Sequence, residues 1–243
     1  MKIKIGCCGW GYFSSKNYFG ENWKERFKSV LQAYASKFNI VEVNSTFYRI
    51  PKLLTAQKWR EEVDEINKDF EFTIKLSQII THEDQFSSKT SIWAFNQMKQ
   101  IARALRSKIL LFQSAAGFKP TKENLEKVKK FFKNIDREDF ILVWEVRWQK
   151  DWTPEIVKKL FFDLNVCQCV DPFRQDCFFT KDLFYYRLHG LGKPSMYNYK
   201  FSDEELKRLA EKVRGTKKET YVLFNNTQMY EDALKFEKFL EEF

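Results

Sequence analysis

The amino-acid sequence predicts an α/β protein built as a single (β/α)8 TIM-like barrel, and three observations point to this fold class. Eight short segments are rich in β-branched and aromatic residues, which is typical of strands. Between most of them, apolar residues recur at three-to-four-residue spacing, which is typical of amphipathic helices. The 243 residues allow each strand–helix unit about 30 residues, and eight such units close into a barrel of about 250 residues. We therefore expect residues 1–243 to form one domain.

The predicted strands are distributed along the whole chain. In order they are Lys2–Cys8, Ile40–Asn44, Phe70–Leu76, Ile109–Gln113, Phe140–Arg147, Val166–Asp171, Leu183–His189 and Thr220–Asn225. Only Pro172–Asp182 separates the sixth strand from the seventh, which is too short for a crossover with a normal helix. We expect a shortened or irregular connection there.

Three helical stretches have clear sequence signals. Glu21–Phe38 carries one apolar stripe and is predicted as a single helix. Thr153 and Pro154 are a typical N-cap and first helical residue. Ser202 and Glu205 form a capping-box pattern ahead of another helix.

The composition excludes several classes of protein. With 44% hydrophobic and 31% charged residues, the chain is not typical of a disordered protein. Its longest uncharged apolar stretch, Ile109–Phe118, is far shorter than the roughly 20 residues that span a bilayer, so no membrane is expected as a partner. The N-terminus lacks the pattern of a signal peptide, and the 5 cysteines are an odd number. We expect a cytoplasmic protein with reduced cysteines. The net charge of +9 lies mostly on helical lysines and leaves nucleic acid open as a partner.

Polar side chains occupy one face of several predicted strands, near the strands' C-terminal ends. Because side chains alternate along a strand, Glu42 and Asn44 lie opposite Val41 and Val43. In a barrel the apolar face contacts the helices, so the polar face points inward at the end where barrel enzymes build their active sites. The same reasoning predicts an inward-facing ring of Glu42, Asn44, Lys75, Gln113, Glu145, Arg147, Asp171, Arg187, His189 and Asn225.

These residues predict a pocket with two kinds of group. Glu42, Glu145 and His189 are the candidate catalytic residues, since carboxylates and imidazole transfer protons. The candidate substrate-binding residues are Asn44, Tyr48, Lys75, Gln113, Arg147, Asp171, Arg187 and Asn225. The aromatic residues Trp10, Tyr12, Phe47 and Tyr48 follow the first two strands, where they either stack on a sugar or base or pack under loops.

Two of the candidates are expected to differ in depth. Arg187 should lie deeper and pair with Glu145 or Asp171, so that its loss costs stability. His189 should lie nearer the mouth, where Gly190 allows a ligand to approach the backbone.

Two other interpretations of the ring are open. The carboxylates Glu42, Glu145 and Asp171 could pair with Lys75, Arg147 and Arg187 in a set of ion pairs that is purely structural. Alternatively, the same carboxylates with His189 could hold a single divalent cation such as Mg²⁺ or Mn²⁺. No metal ligand is assigned, and the sequence contains no motif for an organic cofactor.

Seven segments of the chain resemble the YecE-like family, also known as domain of unknown function 72. They are Gly6–Tyr12, VEVNSTFYRIP at 41–51, FEFTIKLSQIITH at 70–82, WEVRWQKDW at 144–152, VDPF at 170–173, YYRLHG at 185–190 and YVLFNN at 221–226. The family usually has Gln-x-Pro-Pro after the fourth strand, whereas Gln113 is followed here by Ser-Ala-Ala. The resemblance implies a TIM-like barrel and leaves the activity open.

Taken together, these observations favour an enzyme that acts on a small anionic or phosphorylated substrate at the barrel mouth, with hydrolysis as the candidate reaction. A nucleic-acid-binding protein that uses its basic surface is one alternative. A non-catalytic ligand-binding protein is the other.

Overall fold

The computed structural model describes residues 2–147 and 150–241, and it confirms the predicted (β/α)8 barrel. Eight parallel strands follow one another around a closed barrel in chain order. They are β1 (Ile3–Cys7), β2 (Ile40–Val43), β3 (Glu71–Lys75), β4 (Ile109–Gln113), β5 (Ile141–Glu145), β6 (Cys167–Val170), β7 (Leu183–Leu188) and β8 (Glu219–Phe224). Each lies within one residue or two of its predicted bounds.

Helices surround the barrel. They are α1 (Ser15–Phe19), α2 (Trp23–Arg26), α3 (Val30–Ala35), α4 (Leu53–Asp64), α5 (Lys89–Ala104), α6 (Lys122–Asn134), α7 (Pro154–Leu164), α8 (Asp203–Arg214) and α9 (Met229–Glu241). A 3₁₀ turn at Ser45–Phe47 follows β2, and a π-helical turn at Ile79–Glu83 follows β3. In the described part of the chain, no helix is long and apolar enough to cross a membrane.

The start signals of two helices are confirmed. The Thr153 side chain accepts a hydrogen bond from the Ile156 amide, and α7 begins at Pro154. Ser202 and Glu205 form the reciprocal capping box at the start of α8.

The prediction of one helix over Glu21–Phe38 was wrong. The chain becomes extended at Phe27, between α2 and α3. The Ser29 hydroxyl then accepts a hydrogen bond from the Gln32 amide and starts a new helix. A serine N-cap inside an apolar stripe interrupts the helix without disturbing the spacing of its buried residues, which is why the periodicity concealed the break.

The connection between β6 and β7 is irregular, as predicted. Residues 171–182 are all described, and they contain no helix. The side-chain oxygen of Gln168 accepts hydrogen bonds from the Phe178 and Phe179 amides, which fastens this connection to the outside of β6.

The strand register places the polar face of the strands inside the barrel. Val41 and Val43 pack in the large core between the strands and the helices. Their neighbour Glu42 therefore points inward, as does Arg187 between the outward-facing Tyr186 and Leu188. A smaller apolar cluster fills the interior, including Ile40, Leu111, Val143, Cys169, Tyr185 and Leu223. The charged side chains lie between this apolar cluster and the C-terminal ends of the strands.

Candidate functional site

The centre of the site is the guanidinium of Arg187, which joins two carboxylates from other strands. Its Nε and Nη2 donate to the two oxygens of Glu42 at 3.0 and 2.9 Å. Its Nη1 donates to Glu145 Oε2 at 2.6 Å. These three side chains are at most 1% exposed. A bidentate pair in the dry interior of a barrel fixes the position of all three groups.

His189 and Asp171 extend this arrangement on the β6–β7 side. The backbone amide of His189 donates to Asp171 Oδ2 at 3.0 Å, and His189 Nδ1 lies 3.4 Å from the same oxygen. On the other side of the ring, Nε2 lies 3.6 Å from Glu145 Oε1. We call Glu42, Glu145, Asp171, Arg187 and His189 the ionic layer.

The depth expected for these residues is corrected in part. Arg187 pairs with Glu145 as expected and also with Glu42, while Asp171 contacts His189 instead. His189 is fully buried rather than exposed at the mouth, and Asp171 contacts both its backbone amide and its ring. Gly190 has φ +87°, and a side chain there would collide with Tyr199, so its small size is required by packing within the chain.

The ionic layer keeps Glu145 negatively charged. Burial alone would raise the pKa of this carboxyl, but the positive charge of Arg187, with smaller electrostatic contributions from His189 and Arg147, outweighs burial and lowers it well below its usual range. Gln113 donates a further hydrogen bond to Glu145 Oε1 at 2.9 Å. Glu145 is therefore ionised at any pH near neutrality.

The donor set does not fit a divalent cation. Within residues 2–147 and 150–241, no group of three or more His, Cys, Asp or Glu side chains is arranged to hold a metal ion. The oxygens of Glu42 and Glu145 that could face a cation already accept hydrogen bonds from Arg187.

Lys75 differs from the other charged residues because its charge is not balanced by a close partner. It ends β3 and is 5% exposed, with its Nζ 3.8 Å from the centre of the Phe47 ring. Across the described residues, no hydrogen bond or ion pair to this ammonium is found. Burial lowers the pKa of Lys75 to about 7, and the positive charge of Arg187 adds to this effect, against the opposing charges of Glu42 and Glu145.

Arg147 and His82 lie on the same side of the mouth as Lys75. Arg147 is half-buried, and its Nη1 is 3.8 Å from Glu145 Oε1. Burial, Lys75 and Arg147 together lower the pKa of His82, in that order of size. Its ring packs edge-on against Phe47, with centroids 4.9 Å apart. We call Lys75, His82 and Arg147 the cationic cluster; the lowered pKa makes His82 its neutral hydrogen-bonding member near pH 7.

His82 was absent from the predicted site. It lies in the π-helical turn after β3, and nothing in the local sequence indicates that this turn folds back over the barrel mouth.

Asn44 and Tyr48 line a cavity of about 430 Å³ at the C-terminal ends of β1 and β2. The cavity is bounded by Cys8, Gly9, Trp10, Gly11, Tyr12, Asn44, Ser45, Tyr48 and Met229. Tyr12 and Tyr48 are 91% and 71% exposed, whereas Phe47 is buried under Lys75. Of the four predicted aromatic residues, Trp10, Tyr12 and Tyr48 line the cavity and Phe47 packs beneath the loops.

The predicted site residues fall into four groups. Glu42, Gln113, Glu145, Asp171, Arg187 and His189 are joined by hydrogen bonds or ion pairs. Arg147 joins this network through its ion pair with Glu145, Lys75 lies beside it, and Asn44 and Tyr48 line the cavity. Asn225 is half-buried after β8, where its backbone amide donates to Leu188 at 2.8 Å. The catalytic and binding roles of these residues stay predictions.

Solved structures of other proteins superpose on nearly the whole length of this chain. A DUF72 family protein from Thermotoga maritima superposes with a TM-score of 0.75 at 27% identity, covering 99% of this chain and 100% of that one. Endonuclease IV from Thermus thermophilus gives a TM-score of 0.56 at 14% identity, with 100% of both chains covered. At that identity the second likeness concerns the fold alone.

The sequence itself has relatives among curated proteins. The UPF0759 protein YunF of Bacillus subtilis (strain 168) is 32% identical over 129 residues, which is 51% of this chain and 43% of YunF. The match thus spans less than half the length of that relative. Residues 4–243 match the family described as protein of unknown function DUF72. Because this match takes in nearly every residue, the chain belongs to the DUF72 family, in agreement with the resemblance seen in its motifs.

Proposed function

We propose that the chain is an enzyme that binds a small anionic or phosphorylated substrate at the mouth of the barrel. The observation that carries the proposal is Lys75, a buried ammonium with no hydrogen bond or ion pair to the rest of the described chain. Burial of a cation without a counter-ion is costly, and a bound anion would remove that cost.

The surrounding charges favour an anion at this position. Arg187 already pairs with the two nearest carboxylates, Glu42 and Glu145. His82 and Arg147 add donors beside Lys75. Arginine and lysine together form a common binding site for phosphate and carboxylate groups.

Hydrolysis of a phosphate ester is the reaction that such a cluster would suit. Lysine and arginine side chains around a phosphoryl group stabilise the charge that develops in the transition state. Lys75, with a pKa of about 7, is also able to exchange a proton near neutral pH. In this proposal the ionic layer holds the floor of the site rigid and keeps the cationic cluster in place.

Sulfate binding tests the anion site, because sulfate keeps the same charge across neutral pH. We expect sulfate to raise the Tm of the wild-type protein and to have a much smaller effect on Lys75→Met. Lys130→Met, an exposed lysine on α6, is the control and should respond as the wild type does. Equal stabilisation of wild type and Lys75→Met would overturn the proposal.

Binding of nucleic acid is the second candidate function. Its support is the net charge of +9 together with Tyr12 and Tyr48, which are exposed at the mouth and could stack on bases. This candidate predicts binding to a generic single-stranded DNA oligonucleotide that weakens steeply as salt is raised. Anisotropy titrations at two salt concentrations would decide it, since binding that is absent or insensitive to salt excludes this function.

A further inference from the structure

The cavity between the first two strands contains a buried polar atom that no contact within the chain explains. The side-chain oxygen of Asn44 is buried and lacks a hydrogen-bond partner among the described residues. Asn44 lines the cavity of about 430 Å³, together with the exposed aromatic rings of Tyr12 and Tyr48. A buried carbonyl oxygen without a donor is costly, so rotation of the Asn44 side chain towards a ligand that donates a hydrogen bond would remove that cost.

The cavity adjoins the proposed anion site. Val43 of β2 pairs with Ile74 of β3, so Asn44, which follows β2, and Lys75, which ends β3, lie at the same ends of neighbouring strands. Neighbouring strands are about 4.8 Å apart. The cationic cluster does not line the cavity, so a ligand that contacts both must extend from the cavity past the end of β2 towards Lys75.

The backbone of the first loop leaves room for a flat ring. Gly9 has φ +116°, a conformation that side chains rarely adopt. A Cβ atom built at Gly9 or Gly11 would meet no other atom within 4 Å, so the space beside these glycines is open. The volume falls within the range of about 300–1,000 Å³ that is usual for ligand pockets.

From these features we propose that the cavity holds a nucleobase, so that the ligand of the barrel mouth is a mononucleotide. The inference rests on the proposed function for its phosphate end, which the cationic cluster would bind. A base supplies the flat face that stacks on tyrosine and the N–H donor that the Asn44 oxygen lacks. Inorganic phosphate or an aliphatic phosphate would supply neither.

Calorimetric titrations with adenosine 5′-monophosphate, ribose 5-phosphate, adenosine and sulfate test each end separately. We expect the nucleotide to bind at least about tenfold more tightly than ribose 5-phosphate, since stacking of one base is worth about that factor or more. Adenosine should bind weakly, and its binding should be nearly the same in Lys75→Met as in the wild type. If the nucleotide and ribose 5-phosphate bind equally, the base site is excluded, whereas sulfate binding can still support the anion site.

Two variants provide the structural check. Gly11→Leu fills the cavity and Tyr48→Ala removes a stacking face, so each should reduce the advantage of the nucleotide over ribose 5-phosphate to less than about threefold. Phe162→Ala removes a ring that is equally exposed, at 71%, but lies on α7, and it should leave the advantage unchanged. An advantage that persists in both cavity variants would place the base elsewhere and overturn the inference.

Discussion

Arg187 on β7 and Glu42 on β2 form a two-bond ion pair across the interior of the barrel, with distances of 3.0 and 2.9 Å. These strands are not neighbours in the sheet, since β8 and β1 lie between them. The pair therefore ties together parts of the barrel that share no backbone hydrogen bonds. Tyr185 strengthens it by donating its hydroxyl proton to Glu42 at 3.0 Å.

Removal of Arg187 should destabilise the protein strongly. Arg187→Met leaves Glu42 and Glu145 buried without their main counter-ion, and we expect a loss of about 3–5 kcal/mol in the free energy of unfolding. Urea denaturation measures this loss. Arg103→Met, at a side chain that is 57% exposed, is the matched control and should change stability by less than about 1 kcal/mol. Similar losses in the two variants would contradict the structural role of the pair.

His189→Ala should also reduce stability, in contrast to what a position near the mouth would imply. The variant leaves a cavity and removes the ring nitrogen that contacts Asp171 Oδ2, and we expect a loss of about 1–3 kcal/mol in the free energy of unfolding. His82→Ala is the natural control, because the chain has only 2 histidines and His82 is half-buried. Equal melting temperatures of His189→Ala and the wild type would contradict a structural role for His189 and leave only its candidate catalytic role.

Acid should weaken the fold partly through Glu145. The pKa of this carboxyl is lower in the folded protein than in the unfolded chain, so its contribution is fully present above about pH 4.3 and is lost as the pH falls through the folded value. Glu145→Gln should therefore lose less stability between pH 7 and pH 3 than the wild type does. Urea midpoints at the two pH values give the comparison, with Glu61→Gln on the exposed side of α4 expected to follow the wild type.

Lys75 should make stability rise with pH as well, but in a higher pH interval than Glu145 does. Its pKa falls from an ordinary 10.5 to about 7 on folding, so the unfolded chain binds more protons between these values and stability rises with pH across that interval. Lys75→Met lacks this contribution and should be most stabilised relative to the wild type at pH 6, with the difference shrinking by pH 9. A difference that stays constant with pH would mean that Lys75 keeps its proton throughout.

The sequence was sufficient to predict which side chains face the barrel interior. Alternation along β2 and β7 depends only on the two-residue period of a strand, so the inward direction of Glu42 and Arg187 follows from the sequence. Their pairing does not, because a contact across a barrel depends on the tilt and stagger of all the strands between them. Of the two partners of Arg187, Glu145 was therefore predicted and Glu42 was missed.

Local interruptions were harder to anticipate. The break at Phe27 depends on a serine cap that competes with an uninterrupted apolar stripe. The position of His82 depends on how the π-helical turn after β3 folds over Lys75, which no local pattern encodes. Among the described residues, Lys75 has no ion pair because Arg187 already pairs with the neighbouring carboxylates Glu42 and Glu145. The sequence does not show which cation takes these carboxylates.

The irregular connection at 171–182 also affects how the protein opens. A segment without a helix has few backbone hydrogen bonds of its own, so it can detach locally at a lower free energy than the strands beneath it. Its first residue is Asp171, and Arg174 within it donates to the Gly190 carbonyl next to His189. Amide hydrogen exchange that is fast here and slow in β5 and β7 would identify this segment as the route by which water reaches the buried charges.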